Sequence, residues 1–243
     1  MKQRLDILLV QRGLAESREK AQRLVLAGEV RVAGQVATKP GHDFDDAVEL
    51  AVAQPERFVS RGGEKLEGAF KAFPIDVTGK ICVDVGASTG GFTDCLLQHG
   101  AGRVYAVDVG KGQLHWKLRN DPRVVVLDGI NGRYLRPQQL PEVPSVATAD
   151  ASFISLTLLL PAVKELLAPG GEIITLIKPQ FEAGRAEVGK GGVVRDPRIR
   201  QQVVERVRAF GVNVLGLKWI GVCESPLHGP AGNVEFLAYW KKP

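Results

Sequence analysis

A glycine-rich turn, Asp84-Val85-Gly86-Ala87-Ser88-Thr89-Gly90-Gly91-Phe92, lies between an apolar run (81–85) and an amphipathic run that begins near Phe92. A strand that passes through a glycine turn into a helix brings backbone close to a nucleotide-like ligand, because glycine has no Cβ to hold the ligand off. Asp108 closes the next apolar run, 103–108, where a carboxylate can accept hydrogen bonds from ribose hydroxyls. The dinucleotide fingerprint asks for glycine at the third position of the turn, and Ser88 stands there. A phosphate-binding loop asks for Lys and then Ser or Thr after its last glycine, and Phe92-Thr93 stands there. Asp84 would repel a pyrophosphate and suits a cation. S-adenosylmethionine carries both an ammonium and a sulfonium. The turn therefore favours this methyl donor over a glycine turn that serves only the fold.

Downstream, apolar runs and helical patterns alternate. Strands are expected at 81–85, 103–108, 124–127, 146–150, 172–177, 213–223 and 234–240, with helices between them such as 158–167, stopped by Pro169-Gly170-Gly171. This alternation predicts an α/β, Rossmann-like domain with a mostly parallel sheet covered on both faces. Ligands collect at the carboxyl ends of such strands. Asp150 and Lys178 end two of the runs, Glu235 lies near the start of the last, and Lys65 precedes the sheet. A single charge at a strand end is commonly a solvated terminus. A lysine directly after Ile173-Ile174-Thr175-Leu176-Ile177 is harder to dismiss, because burying an ammonium requires carboxylate partners.

Residues 1–53 are expected to form a small α+β unit, 54–60 a linker and 61–243 the large domain. In the small unit Leu5, Leu8 and Leu9 make one helical stripe closed by Gly13. Ser17 caps a second helix that buries Ala21, Leu24 and Val25 and ends at Gly28. A hairpin over 30–36 and a strand over 48–52 follow. Residues 1–39 hold eight Lys/Arg against four Asp/Glu, whereas 40–53 hold four acids and no base. With a net charge of +5, this permits a polyanionic partner; a solvated basic face is the plain alternative. The three cysteines form no C-x-x-C pair and the four histidines show no ligand spacing, so neither a disulfide frame nor a metal is expected. No signal peptide and no membrane-length apolar run is visible, which makes the expected location cytoplasmic.

The amino-terminal stretch resembles the S4 RNA-binding domain through Arg4-Leu5-Asp6, Ser17-Arg18-Glu19-Lys20-Ala21 and the segment from Gly28 to Gly34. That resemblance implies Arg4, Arg18, Lys20, Arg23 and Arg31 as phosphate contacts. Lys65, Asp150, Lys178 and Glu235 match, in order and strand context, the Lys-Asp-Lys-Glu tetrad of FtsJ/RrmJ-like ribose 2′-O-methyltransferases. The combination resembles the TlyA family of rRNA cytidine-2′-O-methyltransferases, also labelled hemolysins, and the likeness covers nearly the whole chain. It implies that Lys178 lies beside the 2′-hydroxyl, that Asp150 and Glu235 position it, and that Lys65 holds phosphate or the attacking oxygen. For the donor it implies Asp84, Gly86, Ser88, Thr89, Gly90 and Gly91 at the methionine end, Asp108 at the ribose and Asp128 near the adenine. The implied partner is ribosomal RNA, of the large subunit for a chain of this length, with no membrane and no obligate protein partner. The rivals are a non-catalytic RNA-binding or ribosome assembly factor, a membrane-lytic hemolysin, and a small-molecule methyltransferase.

Overall fold

The computed structural model describes residues 2–53 and 56–243, and the chain divides into two compact units after Glu56. The first unit runs β1 (Lys2–Arg4), α1 (Leu5–Gln11), α2 (Arg18–Leu26), β2 (Val30–Val32), β3 (Gln35–Val36), β4 (Asp43–Asp45) and β5 (Leu50–Val52). Its core is Leu5, Leu9, Ala21, Val25 and Val30, the leucine stripe of α1 packed on the inward face of α2. Ser17 caps α2, its Oγ accepting from Lys20 N at 3.2 Å. β1 pairs antiparallel with β4, a short ribbon that the leucine stripe beside it does not announce. The last strand starts at Leu50 instead of Val48, because Val48 N closes a turn on the Asp45 carbonyl.

The second unit runs α3 (Arg61–Ala72), β6 (Ile81–Val85), α4 (Gly91–Gln98), β7 (Arg103–Asp108), α5 (Trp116–Arg119), β8 (Val124–Asp128), β9 (Val146–Ala149), α6 (Leu156–Leu166), β10 (Glu172–Ile177), α7 (Pro179–Glu182), α8 (Pro197–Ala209), β11 (Lys218–Glu224) and β12 (Phe236–Lys241). One seven-stranded sheet has the order β11-β12-β10-β9-β6-β7-β8. β8, β7, β6, β9 and β10 are parallel, while β12 is antiparallel to both of its neighbours. Each sheet face has its own apolar cluster, one centred on Leu160, Ile173 and Trp240 and the other on Leu66, Leu96 and Val104. The sheet is thus covered on both sides, which is what near-continuous apolar strands require.

Three boundaries differ from expectation. Strand β11 begins at Lys218, not at residue 213, because α8 continues into a wide turn over Phe210–Val214. Gly211 lies under the Trp240 indole, where a Cβ would stand 2.4 Å from the ring, so packing overrides the strand-like Asn213-Val214. Strand β12 begins after Glu235, and β9 ends before Asp150. In the stretch 54–60, Gln54 and Pro55 lie outside the described residues, but Phe58 and Val59 are not linker. Phe58 is buried against Gly63 of α3, and Val59 N donates to Asp94 Oδ2 at 2.9 Å.

Candidate active site

Strand order reverses between β6 and β9, the place where an open α/β sheet leaves a crevice at its carboxyl edge. A cavity of about 700 Å³ opens there, lined by Gly86, Ser88, Asp108, Asn131, Asp150 and Phe153 among others. Asp108 ends β7 with its carboxylate preset by two backbone donors, Ser88 N to Oδ2 at 2.8 Å and Gly110 N to Oδ1 at 2.7 Å. Ser88 takes φ +51 to make that contact. The volume and a fixed carboxylate among the apolar walls Val107, Ile130 and Leu159 suit a nucleoside-sized ligand.

The glycines divide into two groups. Gly86 lines the cavity and lets the turn touch the β9 terminus, since a Cβ would stand 2.5 Å from the Asp150 carbonyl oxygen. Gly90 and Gly91 face the protein. A Cβ on Gly90 would meet Leu118 at 2.2 Å, and one on Gly91 would meet Gly63 N at 2.7 Å. Their smallness lets α5 and α3 close on α4, a packing reason for glycine at these two positions beside the expected ligand approach. Thr89 likewise points its carbonyl to His115 N.

Two acids also differ from expectation. Asp84 is wholly buried behind the cavity wall, accepting from Thr93 Oγ1 at 2.7 Å and Thr148 Oγ1 at 2.8 Å. Burial pushes its pKa up to about 6 against the pull of those hydroxyls. Asp128 pairs with Arg119 at 2.6 Å and accepts from Gly112 N, off the cavity lining. The Arg119 guanidinium holds its carboxyl below the usual range.

Lys65, Asp150, Lys178 and Glu235 form two ion pairs. Lys178 Nζ lies 2.5 Å from Asp150 Oδ1 and donates to Ser152 Oγ at 3.0 Å. Lys65 Nζ, carried on α3, lies 2.5 Å from Glu235 Oε2. Both lysines and Glu235 are buried, so each ammonium depends on its carboxylate. Glu235 therefore holds Lys65, not Lys178 as expected. Gln180, two residues past Lys178, reaches Glu235 Oε1 at 3.4 Å, and its own Oε1 is buried without a hydrogen-bond partner among the described residues.

In the first unit, Asp6 is buried and gathers Arg4 (Nη2 at 2.9 Å), Arg18 (3.2 Å) and Gln22 (2.8 Å). Both guanidiniums stay about half exposed. Lys20 and Arg23 ride on α2, and Arg31 Nη1 donates to the Gly34 carbonyl of the hairpin.

Several lining residues have no strong signal in the sequence. Asn131 and Arg133 follow β8, where the Asp-Gly pair at 128–129 and the Asn-Gly pair at 131–132 mark turns but not a ligand. Phe153 is 90% exposed with φ +63, a conformation rare for an aromatic residue, and tilts against Phe181 at 5.1 Å. Away from the cavity, α3 and α4 bring Glu67, Cys95 and His99 within 4.8 Å of one another, a ligand-like set that sequence spacing hides. Arg57 pairs with Glu67 at 2.9 Å and already supplies positive charge there.

A doubly wound sheet with this strand order, a preset acid at the end of β7 and a cavity at the reversal point defines an S-adenosylmethionine-dependent methyltransferase fold. The profile described as FtsJ-like methyltransferase matches residues 58–242, and that of the S4 domain matches residues 3–46. A Mycobacterium tuberculosis protein described as 16S/23S rRNA (cytidine-2′-O)-methyltransferase TlyA is 50% identical over 238 residues, 97% of this chain and 88% of that one. Hemolysin A of Brachyspira hyodysenteriae is 46% identical over 238 residues, 98% and 99% of the two chains. A solved hemolysin-named structure from Streptococcus thermophilus, 48% identical, superposes with a TM-score of 0.77 over 99% of this chain and 88% of that one. The chain belongs to the TlyA family of FtsJ-like methyltransferases with an amino-terminal S4 domain. No helix among the described residues is long and apolar enough to cross a membrane.

Proposed function

We propose that this chain methylates the 2′-hydroxyl of a cytidine ribose in ribosomal RNA, with large-subunit RNA as its target. The observation that carries the reading is the double placement of Asp150. It belongs to the cavity wall and it also holds the buried Lys178 ammonium at 2.5 Å. A group bound in the cavity and a group beside Lys178 therefore meet at one residue. Bound there, S-adenosylmethionine supplies an electrophilic sulfonium methyl. Asp108 fits its ribose hydroxyls, and Gly86 and Ser88 fit the end nearer the turn.

Lys178 aims the ribose oxygen at the methyl carbon. The ribose oxygen gains the methyl as the carbon–sulfur bond of the sulfonium breaks to leave a neutral thioether, and the hydroxyl proton passes to the Asp150 carboxylate, since Lys178 is already an ammonium. Positioning of this kind can supply up to about 7–11 kcal/mol of the barrier. The Lys65–Glu235 pair, with Gln180 beside it, supports the neighbouring wall and offers a cation to the acceptor phosphate. Phe153 and Phe181 form an aromatic ledge at the rim, suited to stacking a base taken out of its helix. Arg4 and Arg18, set by Asp6, with Lys20, Arg23 and Arg31, suit RNA phosphates.

Incubation with labelled donor and separated ribosomal subunits, followed by mapping of ribose methylation, tests the reading. Label is expected on large-subunit RNA, and Lys178→Ala is expected to lower transfer by on the order of 10²–10⁴-fold with donor affinity retained. Label on neither subunit, or undiminished transfer by Lys178→Ala, overturns it.

A further inference from the structure

The hairpin that follows α7 takes no part in the cavity or the two ion pairs, yet it is built with care. Gly192 N returns to the Gly189 carbonyl and Gly189 N to Val193 O, a tight turn made possible by φ +80 at Gly191 and φ +74 at Gly192. The turn leaves Lys190 exposed at its tip. Asn233, only 2% exposed, spends its whole carboxamide on this segment. Its Oδ1 accepts from Val194 N at 2.9 Å and its Nδ2 donates to Gly192 O at 2.8 Å. Asn233 stands two residues before Glu235 in the chain, so the hairpin is fastened to the segment that holds Lys65.

The charge of this segment is unbalanced. Its two acids are engaged, Glu187 with Arg206 at 3.3 Å and Asp196 with Arg198 at 3.2 Å. Among the described residues no carboxylate pairs with Lys190 or with Arg195, whose guanidinium reaches only the Lys190 carbonyl at 3.4 Å. Two free cations on a pinned turn suit a ligand that repeats negative charge at fixed spacing. A solvated basic face needs no buried asparagine to hold it.

We propose that the 189–195 hairpin is a second RNA contact, in which Lys190 and Arg195 grip acceptor-strand phosphates beside the candidate catalytic residues and Asn233 is their positioning residue. The inference rests on the RNA methyltransferase reading above and extends it to a surface outside the S4 unit.

The test uses the full chain and large-subunit rRNA fragments, with affinity measured by fluorescence anisotropy across a salt series and donor affinity by calorimetry. Removing one cation from its phosphate makes the slope of log K against log salt shallower by about 0.7–0.9. Lys190→Ala with Arg195→Ala is therefore expected to reduce the slope by about 1.4–1.8, raise KM for RNA and leave donor affinity unchanged. Asn233→Ala is expected to show the same slope change although it removes no charge. If it fails to fold, the exposed Lys190 and Arg195 variants still decide the matter. An unchanged slope in the double variant overturns the hairpin proposal, and methyl transfer by the parent chain then still stands. A parent that binds RNA but transfers no methyl overturns the catalytic reading and spares the hairpin. A parent that binds no rRNA fragment overturns both.

Discussion

Asp6 in the S4 unit and Asp84 in the sheet are both wholly buried, and their surroundings drive them in opposite directions. Hydrogen bonding from Arg4, with Arg18 and Gln22 behind it, outweighs burial at Asp6 and holds its carboxyl far below the usual range. At Asp84 burial dominates, since among the described residues its side-chain partners are two threonine hydroxyls, and its pKa rises to about 6. Burial alone decides little; the charge of the partners decides the sign. Asp6 uses cations that keep their outer faces for another anion. Among the described residues no cation pairs with Asp84, so near neutral pH it leaves a poorly compensated negative charge behind the cavity wall. That arrangement favours a cationic ligand.

The largest effect is expected at Asp84. A carboxyl whose folded pKa is raised contributes stability that is full below its unfolded value and lost as pH rises through the folded one. From an ordinary value of 3.8 to about 6, the loss is on the order of 3 kcal/mol, completed a little above pH 6. Asp84→Asn keeps hydroxyl partners and removes the charge. Its melting temperature should exceed that of the parent at pH 8 and converge with it near pH 4. Donor affinity at pH 8 should fall at the same time. A parallel pH profile, or unchanged donor affinity, would reduce Asp84 to a packing residue.

Asp6→Asn should act in the opposite sense and by less. A depressed carboxyl contributes stability that is present above its unfolded pKa and lost as pH falls through the folded one. At pH 7 the substitution is expected to cost about 1–2 kcal/mol, towards the low end for charged hydrogen bonds because Arg4 and Arg18 are half exposed and screened. Hydrogen exchange of the α1 and α2 amides reads this locally, and the difference from the parent should begin to shrink only as pH falls below about 4. RNA affinity should fall because the two guanidiniums lose their anchor. A rise, as simple removal of a negative charge would give, breaks the reading of Asp6 as an organising centre.

The same contrast explains what could be read from the sequence. Ile81–Val85, Arg103–Asp108 and Glu172–Ile177 are legible to the residue, because buried parallel strands leave continuous apolar runs between turn signals. Residues 213–217 are not, because Trp240 and Gly211 meet only after the sheet has formed. Asp150 and Lys178 are visible as charges that end apolar runs and Glu235 as one near the start of the last run, whereas Lys65 stands before the sheet with only the resemblance to mark it. The pairing of the four is not visible, since Glu235 reaches Lys65 across 170 residues of chain. Gly90 and Gly91 resemble ligand-cradling glycines, and the sequence does not show that Leu118 and Gly63 stand over them. Arg4 and Asp6 lie close in sequence and suggest an ion pair, but the complete burial of Asp6 depends on α2 closing over it.

The smallest expected effect is a null, and it tests the cause assigned to Asp84. Cys82 lies two residues earlier on β6, on the same face of the strand, and is equally buried. Burial pushes its thiol up to about 12, with Lys80 opposing weakly. At pH 8 the thiolate fraction is then on the order of 10⁻⁴, too small for alkylation without opening of the sheet. Cys223 is only half-buried, on the edge strand β11. Iodoacetamide at pH 8, followed by peptide mass spectrometry, should label Cys223 first and leave Cys82 unmodified, in the parent and in Asp84→Asn alike. If Cys82 reacts as fast as Cys223, water reaches this part of β6. Burial could not then hold the Asp84 carboxyl near pH 6, and the opposition between the two aspartates would need another cause.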